Sequence, residues 1–240
     1  MDAHGGVTFF NPQEKPTAYK AMKYTTLFCI LTTLFPFTTA FGTTVFSTLT
    51  NTNTYNTSNG YVVSGGSGFP YFGQANSFSP SISGTLLSID LGVARLGGDD
   101  GLIDVSLTLD DSLHHIPQSG SLTSGTITSV VGGSANSALT TFVPTGAPVS
   151  LVAGEVYWIT LTPHDSGSFA AWYNSLVGDE YNFAQTSNGS TWRPTGDPAL
   201  AFRVNAEVAA VPEPGNLGLI TASCLGTVAL FGRTVRRRRN

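Results

Sequence analysis

Between residues 41 and 210 the chain has no cysteine and no lysine. The only cysteines are Cys29 and Cys224, near the two ends. The long middle segment therefore forms no internal disulfide, and zinc sites built on cysteine are excluded. It must hold itself together by burial, and its 170 residues are enough for one substantial core. Without lysine, only Arg95, Arg193 and Arg203 oppose twelve carboxylates, so the segment carries a net charge of −9, against −4 for the whole chain. Such a surface repels nucleic acid and other polyanions, and no phosphate-binding patch is visible. Also missing are a fixed-period repeat, a nucleophile elbow and an HExxH helix, which removes solenoids, propellers and the common hydrolase signatures.

What is present is concentrated at the ends. The chain closes with VPEPGNLGLITASCLGTVALFGRTVRRRRN. Val211 precedes Pro212-Glu213-Pro214, an uncharged stretch follows from Asn216 to Gly232, and Arg233, Arg236, Arg237, Arg238 and Arg239 crowd the end. Seventeen helical residues rise roughly 25 Å, the short end of a membrane span. The arginines favour the cytoplasmic side, which places everything upstream of Pro212 outside it. Pro212 and Pro214 keep the preceding hinge extended and open to a protease. Motif, apolar segment and basic stop, in this order, resemble the PEP-CTERM sorting domain. The resemblance covers only residues 211–240. It implies cutting near the Pro-Glu-Pro motif by an exosortase, a membrane-embedded enzyme that supplies its own catalytic residues.

The other end agrees. Residues 22–40, MKYTTLFCILTTLFPFTTA, give a basic start at Lys23, an apolar core and small residues before Phe41, the layout of a secretory signal peptide read by the Sec translocon and signal peptidase. Residues 1–21 fit neither signal nor domain; either Met22 is the true start or the n-region is extended.

The body reads as all-β. Apolar residues alternate at Leu87, Ile89, Leu91 and Val93, and at Ile103, Val105, Leu107 and Leu109. The same period places Tyr157, Ile159 and Leu161 opposite Val156, Trp158 and Thr160, and aligns Leu200, Phe202, Val204, Ala206 and Val208. Period two marks half-buried strands, and Gly, Pro, Asn and Asp clusters separate them. The expected fold is a β-sandwich or jelly roll over residues 73–210, with an N-terminal signal helix and a single C-terminal transmembrane helix. Residues 41–72 read mostly as a polar lead-in, with a strand expected at Tyr61, Val62 and Val63.

The order LSIDLGV, IDVSLTLDDSLHHIPQSGSL, TFVPTGAPVSLVAGEVYWITLTP, AAWYNS and LAFRVNAEV resembles the choice-anchor R type of extracellular β domain over residues 73–208. IPQSG stands where that pattern has a Pro-Gly step. The resemblance implies an exported β-sandwich and carries no enzymatic activity.

Side chains that bear chemistry are few. His114 and His115 lie near Asp110 and Asp111, with His164-Asp165 further on, but adjacent histidines on a strand point to opposite faces and share an ion poorly. Asp99, Asp100 and Asp104 are candidate ligands for a structural calcium, although an EF-hand's spacing is absent. Asp165, Asp179 and Glu180 are carboxylates of the type a glycoside hydrolase pairs. Trp158 belongs to an apolar strand and is expected in the core. Trp172, Trp192 and Tyr173 sit among Ser, Asn and Gly, where exposure for sugar stacking is expected. The Ser and Thr abundance also makes the chain a candidate for glycosylation. The reading is an exported, non-enzymatic cell-envelope or extracellular-matrix protein with a structural or adhesive role, held in the inner membrane by its tail before processing. It requires no cofactor beyond the candidate calcium. The alternatives are a surface carbohydrate-binding module on extracellular polysaccharide and, further off, a secreted glycoside hydrolase.

Overall fold

The computed structural model describes residues 41–66, 68–96, 102–128, 130, 138–177, 182–196 and 199–208. Every regular element among them is a strand. The expected signal helix and transmembrane helix lie outside the described residues. The first sheet has the order β1 (Phe41–Ser47), β15 (Phe202–Val208), β4 (Gly84–Leu91), β10 (Ser150–Leu151), and β9 (Thr140–Phe142) also pairs with β4. The second has the order β14 (Trp192–Thr195), β13 (Phe183–Thr186), β3 (Gly73–Phe78), β11 (Tyr157–Pro163), β6 (Ile103–Asp111), β7 (Ile116–Pro117), and β8 (Thr123–Ile127) also pairs with β6. A third sheet sets β12 (Phe169–Asn174) between β2 (Asn56–Ser64) and β5 (Val93–Arg95). All the strand pairs are antiparallel.

The three sheets share one core. Val45 from β1, Val63 from β2, Phe78 from β3, Ile89 from β4, Leu107 from β6, Ile159 from β11 and Phe202 from β15 all join a single buried cluster. Burying each such side chain contributes about 1.5–3 kcal/mol, which replaces what a disulfide would have supplied. This architecture is consistent with a β-sandwich. The alternation in β11 does not separate a wet face from a dry one, because Tyr157, Trp158, Ile159, Thr160 and Leu161 are all buried. Tyr157, Ile159 and Leu161 face the main core, and on the opposite face Trp158 is covered by Ala75, Ala184, Ile116 and Trp192.

Residues 41–72 are not a lead-in. They supply β1 and β2, and Val45, Leu49, Tyr55 and Val63 are buried. The stretch is polar because its threonines make hydrogen bonds within the fold. The Thr48 hydroxyl donates to Leu200 O at 2.6 Å and accepts from Phe202 N at 2.9 Å.

The face expected for Leu87 is also corrected. On β15, Asn205 pairs with Ser88 and the next residue, Ala206, pairs with Leu86, so Leu87 is the extra residue of a β-bulge. The bulge turns Leu86 inward and leaves Leu87 38% exposed, while Ile89 and Leu91 keep their core positions. Leu109, at the end of β6, is exposed rather than buried with Ile103, Val105 and Leu107.

Beneath this framework lies an arginine–carboxylate ion pair. Arg203 Nε and Nη2 donate to Asp90 Oδ2 at 2.9 and 2.7 Å, Asn205 adds a bond at 3.0 Å, and Thr141 donates to Oδ1 at 2.7 Å. These contacts tie β4 to both β15 and β9. Burial alone would raise the Asp90 carboxyl; the bonds from Thr141, Arg203 and Asn205, with the guanidinium charge, outweigh it and hold the group below its ordinary value. The folded carboxyl thus ionises at lower pH than the unfolded one. Its stabilisation is complete above the unfolded value and is lost as pH falls through the folded one. Arg203→Met should cost about 2–3 kcal/mol in urea unfolding at pH 7, somewhat less than a fully buried pair would. The difference from wild type should shrink on acidification below pH 4; a pH-independent difference would refute the ion-pair account.

Candidate functional site

The residues of the sorting signal, Val211, Pro212, Glu213 and Pro214, and the basic stop Arg233, Arg236, Arg237, Arg238 and Arg239 lie outside the described residues, as do Asp99, Asp100, Asp179 and Glu180.

The aromatic residues expected at a sugar-binding surface are divided. Trp172 is fully buried: it sits in β12, the middle strand of the third sheet, and its indole Nε1 donates to Ala201 O at 3.0 Å. Tyr173 is buried as well and stacks on Tyr55 with centroids 5.8 Å apart. Both corrections have one cause. Phe169–Asn174 is a strand paired on two sides, and the polar residues around it belong to turns. Trp192 alone keeps part of its ring in solvent. It is on edge strand β14 and packs against a small cluster of Ala75, Trp158 and Ala184, on the side of the second sheet away from the main core. Pro194 removes an N–H from the same edge, which discourages pairing with another chain.

On that outer side the structure assembles a polar chain that the sequence did not reveal. Trp158 is buried as expected, and its Nε1 donates to Asp110 Oδ1 at 2.7 Å. The other oxygen of Asp110 lies 3.3 Å from His115 Nδ1. One residue along, Asp111 Oδ2 lies 2.7 Å from His114 Nδ1. That hydrogen bond, with a backbone bond from Leu113, holds the Asp111 carboxyl below its ordinary range. The two histidines occupy the turn between β6 and β7 rather than a strand, and His115 takes a left-handed φ of 51°. The turn does not bring them together at an ion. Asp110 and Asp111 are successive strand residues facing opposite sides, and each holds its histidine on its own side.

A third aspartate of β6 repeats the pattern at the other end of the strand. Asp104 Oδ1 accepts from Thr126 Oγ1 at 2.6 Å and lies 3.0 Å from His164 Nδ1. Although Thr, His and Asp are gathered, they do not form a nucleophile. The hydroxyl donates to the carboxylate rather than to the imidazole, so no base is aimed at it. Beside them, burial raises the Tyr71 phenol and the Asp104 charge raises it further. Asp165 Oδ1 accepts from Gly167 N at 2.9 Å and from Ser168 Oγ at 3.1 Å, so it serves its own turn. Among the described residues, no three His, Cys, Asp or Glu side chains are placed to hold one metal ion. What the arrangement can do is position imidazoles and shield an indole. It offers neither a paired acid and base nor a metal centre among the described residues.

The chain matches no family model and no curated protein.

Asp110 should matter more to stability than its partner His115. Asp110→Ala leaves a buried indole N–H without an acceptor, which costs about 1–3 kcal/mol, and should shift Trp fluorescence. His115→Ala removes only an exposed ring and should stay within about 0.5 kcal/mol. Equal losses in thermal unfolding would contradict this order.

Proposed function

We propose that the chain is an exported cell-envelope protein, carried out by the Sec translocon, trimmed by signal peptidase, held in the inner membrane by its tail and then sorted by an exosortase. The observation that carries this reading is the order of the tail: Pro212-Glu213-Pro214, then the uncharged segment 216–232, then five arginines. The body is compatible with it. Its strand framework runs from Phe41 to Val208, and these two residues pair with each other in the β1–β15 ladder. The described strands thus all lie between the expected signal-peptide cleavage site and the Pro-Glu-Pro motif. A fold that reaches its stability by burial and uses no disulfide also folds outside the cell without an oxidase.

The role we assign is structural or adhesive, in the outer envelope or the extracellular polysaccharide matrix, on a β-sandwich of jelly-roll type resembling choice-anchor R domains. Carbohydrate binding is the second reading. Trp192, the one partly exposed tryptophan, favours it, whereas burial removes Trp172 and Tyr173 from that role. A hydrolase is the least supported reading, since Asp165 is engaged within its own turn.

Mass spectrometry of the protein from native cells, with and without the exosortase, tests the sorting. Processing should place the mature C-terminus within residues 211–214 in the native strain and leave it at Asn240 in the mutant. A terminus at Asn240 in both strains would leave a permanent membrane anchor and end the sorting proposal.

A further inference from the structure

The end of the body where the chain leaves β15 is rimmed by uncovered aliphatic side chains. Val208 pairs with Phe41, and Gly84 lies against both Glu207 and Val208, where a Cβ would sit 2.7 Å from Glu207 O. Leu87 touches the position of Gly42 in the same corner. The loop before Gly84 carries exposed Ile82, and it is joined to the loop after β10 by Ala153 N donating to Ser83 Oγ at 2.9 Å and Gly154 N donating to Pro80 O at 3.0 Å. That second loop carries exposed Val152, whose N–H donates to the Tyr157 hydroxyl. Tyr157 pairs with Leu109, so the late part of β6 and the turn beyond it extend from this same end. The turn bears Leu113, the most exposed large apolar residue described, at 80%.

We propose that this end of the body rests on the surface of a lipid bilayer while the tail is attached. The inference depends on the reading of residues 216–232 as a membrane segment. From Val208 to Leu217 the chain has nine steps, which reach at most about 30 Å when fully extended. So short a tether keeps Ile82, Leu113 and Val152 at high effective concentration beside the bilayer, and a weak apolar contact is then well populated. Aliphatic side chains partition into the boundary between headgroups and acyl chains. Glu155 and Glu207 are exposed at this end, the Asp111–His114 and Asp110–His115 pairs flank Leu113, and no lysine accompanies them. The contact is therefore apolar rather than electrostatic, so zwitterionic lipid is the fitting probe and salt should have little effect. Detaching the tail removes the tether and, with it, the contact.

The test uses the protein with its tail, purified from membranes and carrying Cys29→Ser and Cys224→Ser. A single cysteine introduced as Ile82→Cys or Leu113→Cys is labelled with an environment-sensitive dye, and the protein is reconstituted into phosphatidylcholine vesicles. Leu176→Cys is the control: Leu176 is 57% exposed and lies beyond Asn174, which bridges Leu200 ahead of β15, at the opposite end. Labels at 82 and 113 should shift to the blue and be quenched by brominated lipid, with position 176 unaffected, in low and high salt alike. Flotation with the vesicles but no quenching at 82 and 113, or equal quenching at all three positions, overturns the contact and spares the anchor. Failure to float with the vesicles overturns the anchored reading and the contact together.

Discussion

The body depends on one strand being gripped from both sides. β15 is the last described strand in the chain, yet it lies between β1, the first, and β4. Its Phe202 is the meeting point of the aromatic core: Phe46 stacks on it at 5.3 Å, and Phe78 and Trp172 meet it edge-on at 6.0 and 6.1 Å. Thr48 grips the backbone on either side of this ring, while Arg203 reaches from the next position into Asp90. A chain without disulfides has no covalent way to join its first strand to its last. The β1–β15 ladder, the Phe46–Phe202 contact and the Thr48 hydroxyl perform that task here, while the Arg203–Asp90 pair fastens β15 to β4 on its other side. Contacts this distant form late and reward a chain only once all of it is present.

The scarcity of cations shapes the remainder of the polar structure. A body with twelve carboxylates and three arginines cannot give each acid an arginine, and Asp90 has one in Arg203. The aspartates of β6 use imidazole, indole and hydroxyl donors. The three aspartates of β6 that bear on the candidate site each engage a histidine ring, and Asp110 and Asp104 add an indole and a hydroxyl respectively. These bonds explain why carboxylates, imidazoles and hydroxyls can stand close together without forming a reactive group. Each acceptor is already committed to a donor that fixes a neighbour's position. Catalysis requires the converse, a base left with an unspent lone pair beside a substrate.

The strands were legible where two forces agreed. In β6 and β15 the alternation of apolar residues matches the burial of Ile103, Val105 and Leu107, and of Phe202, Val204 and Ala206. Where a force outside the pattern intervened, the sequence misled. A bulge is one additional residue and leaves no compositional mark, so period two alone puts Leu87 on the wrong side. Thr-rich β1 and β2 look like linker because their apolar residues are spread among hydroxyl side chains that bond to distant backbone. Trp172 is surrounded in sequence by turn-forming residues and in space by β2, β5 and Ala201; local composition reports the first environment and not the second. The Trp158–Asp110–His115 chain joins β11 to the end of β6 and its turn, and no spacing rule in one sequence connects residues 48 positions apart.

Pairing of Phe41 with Val208 gives the body two unlike ends, and this constrains any adhesive role. If the chain leaves toward the membrane at one end, the turns at the other end are the ones presented outward. There Phe69 stacks on Phe169 with centroids 4.5 Å apart and planes 14° from parallel, and Phe69 stays half exposed. Gly66 and Gly68, with φ of 100° and 81°, shape the loop that holds it. Tyr71 lies against the turn at Gly189 on one side and feels the charge of Asp104 on the other. Phe69 and Tyr71 belong to the connection between β2 and β3, Phe169 opens β12, and the left-handed φ of Gly66 and Gly68 makes those two positions costly to substitute. A negative body with no lysine would restrict any polymer met at this end to a neutral or cationic one.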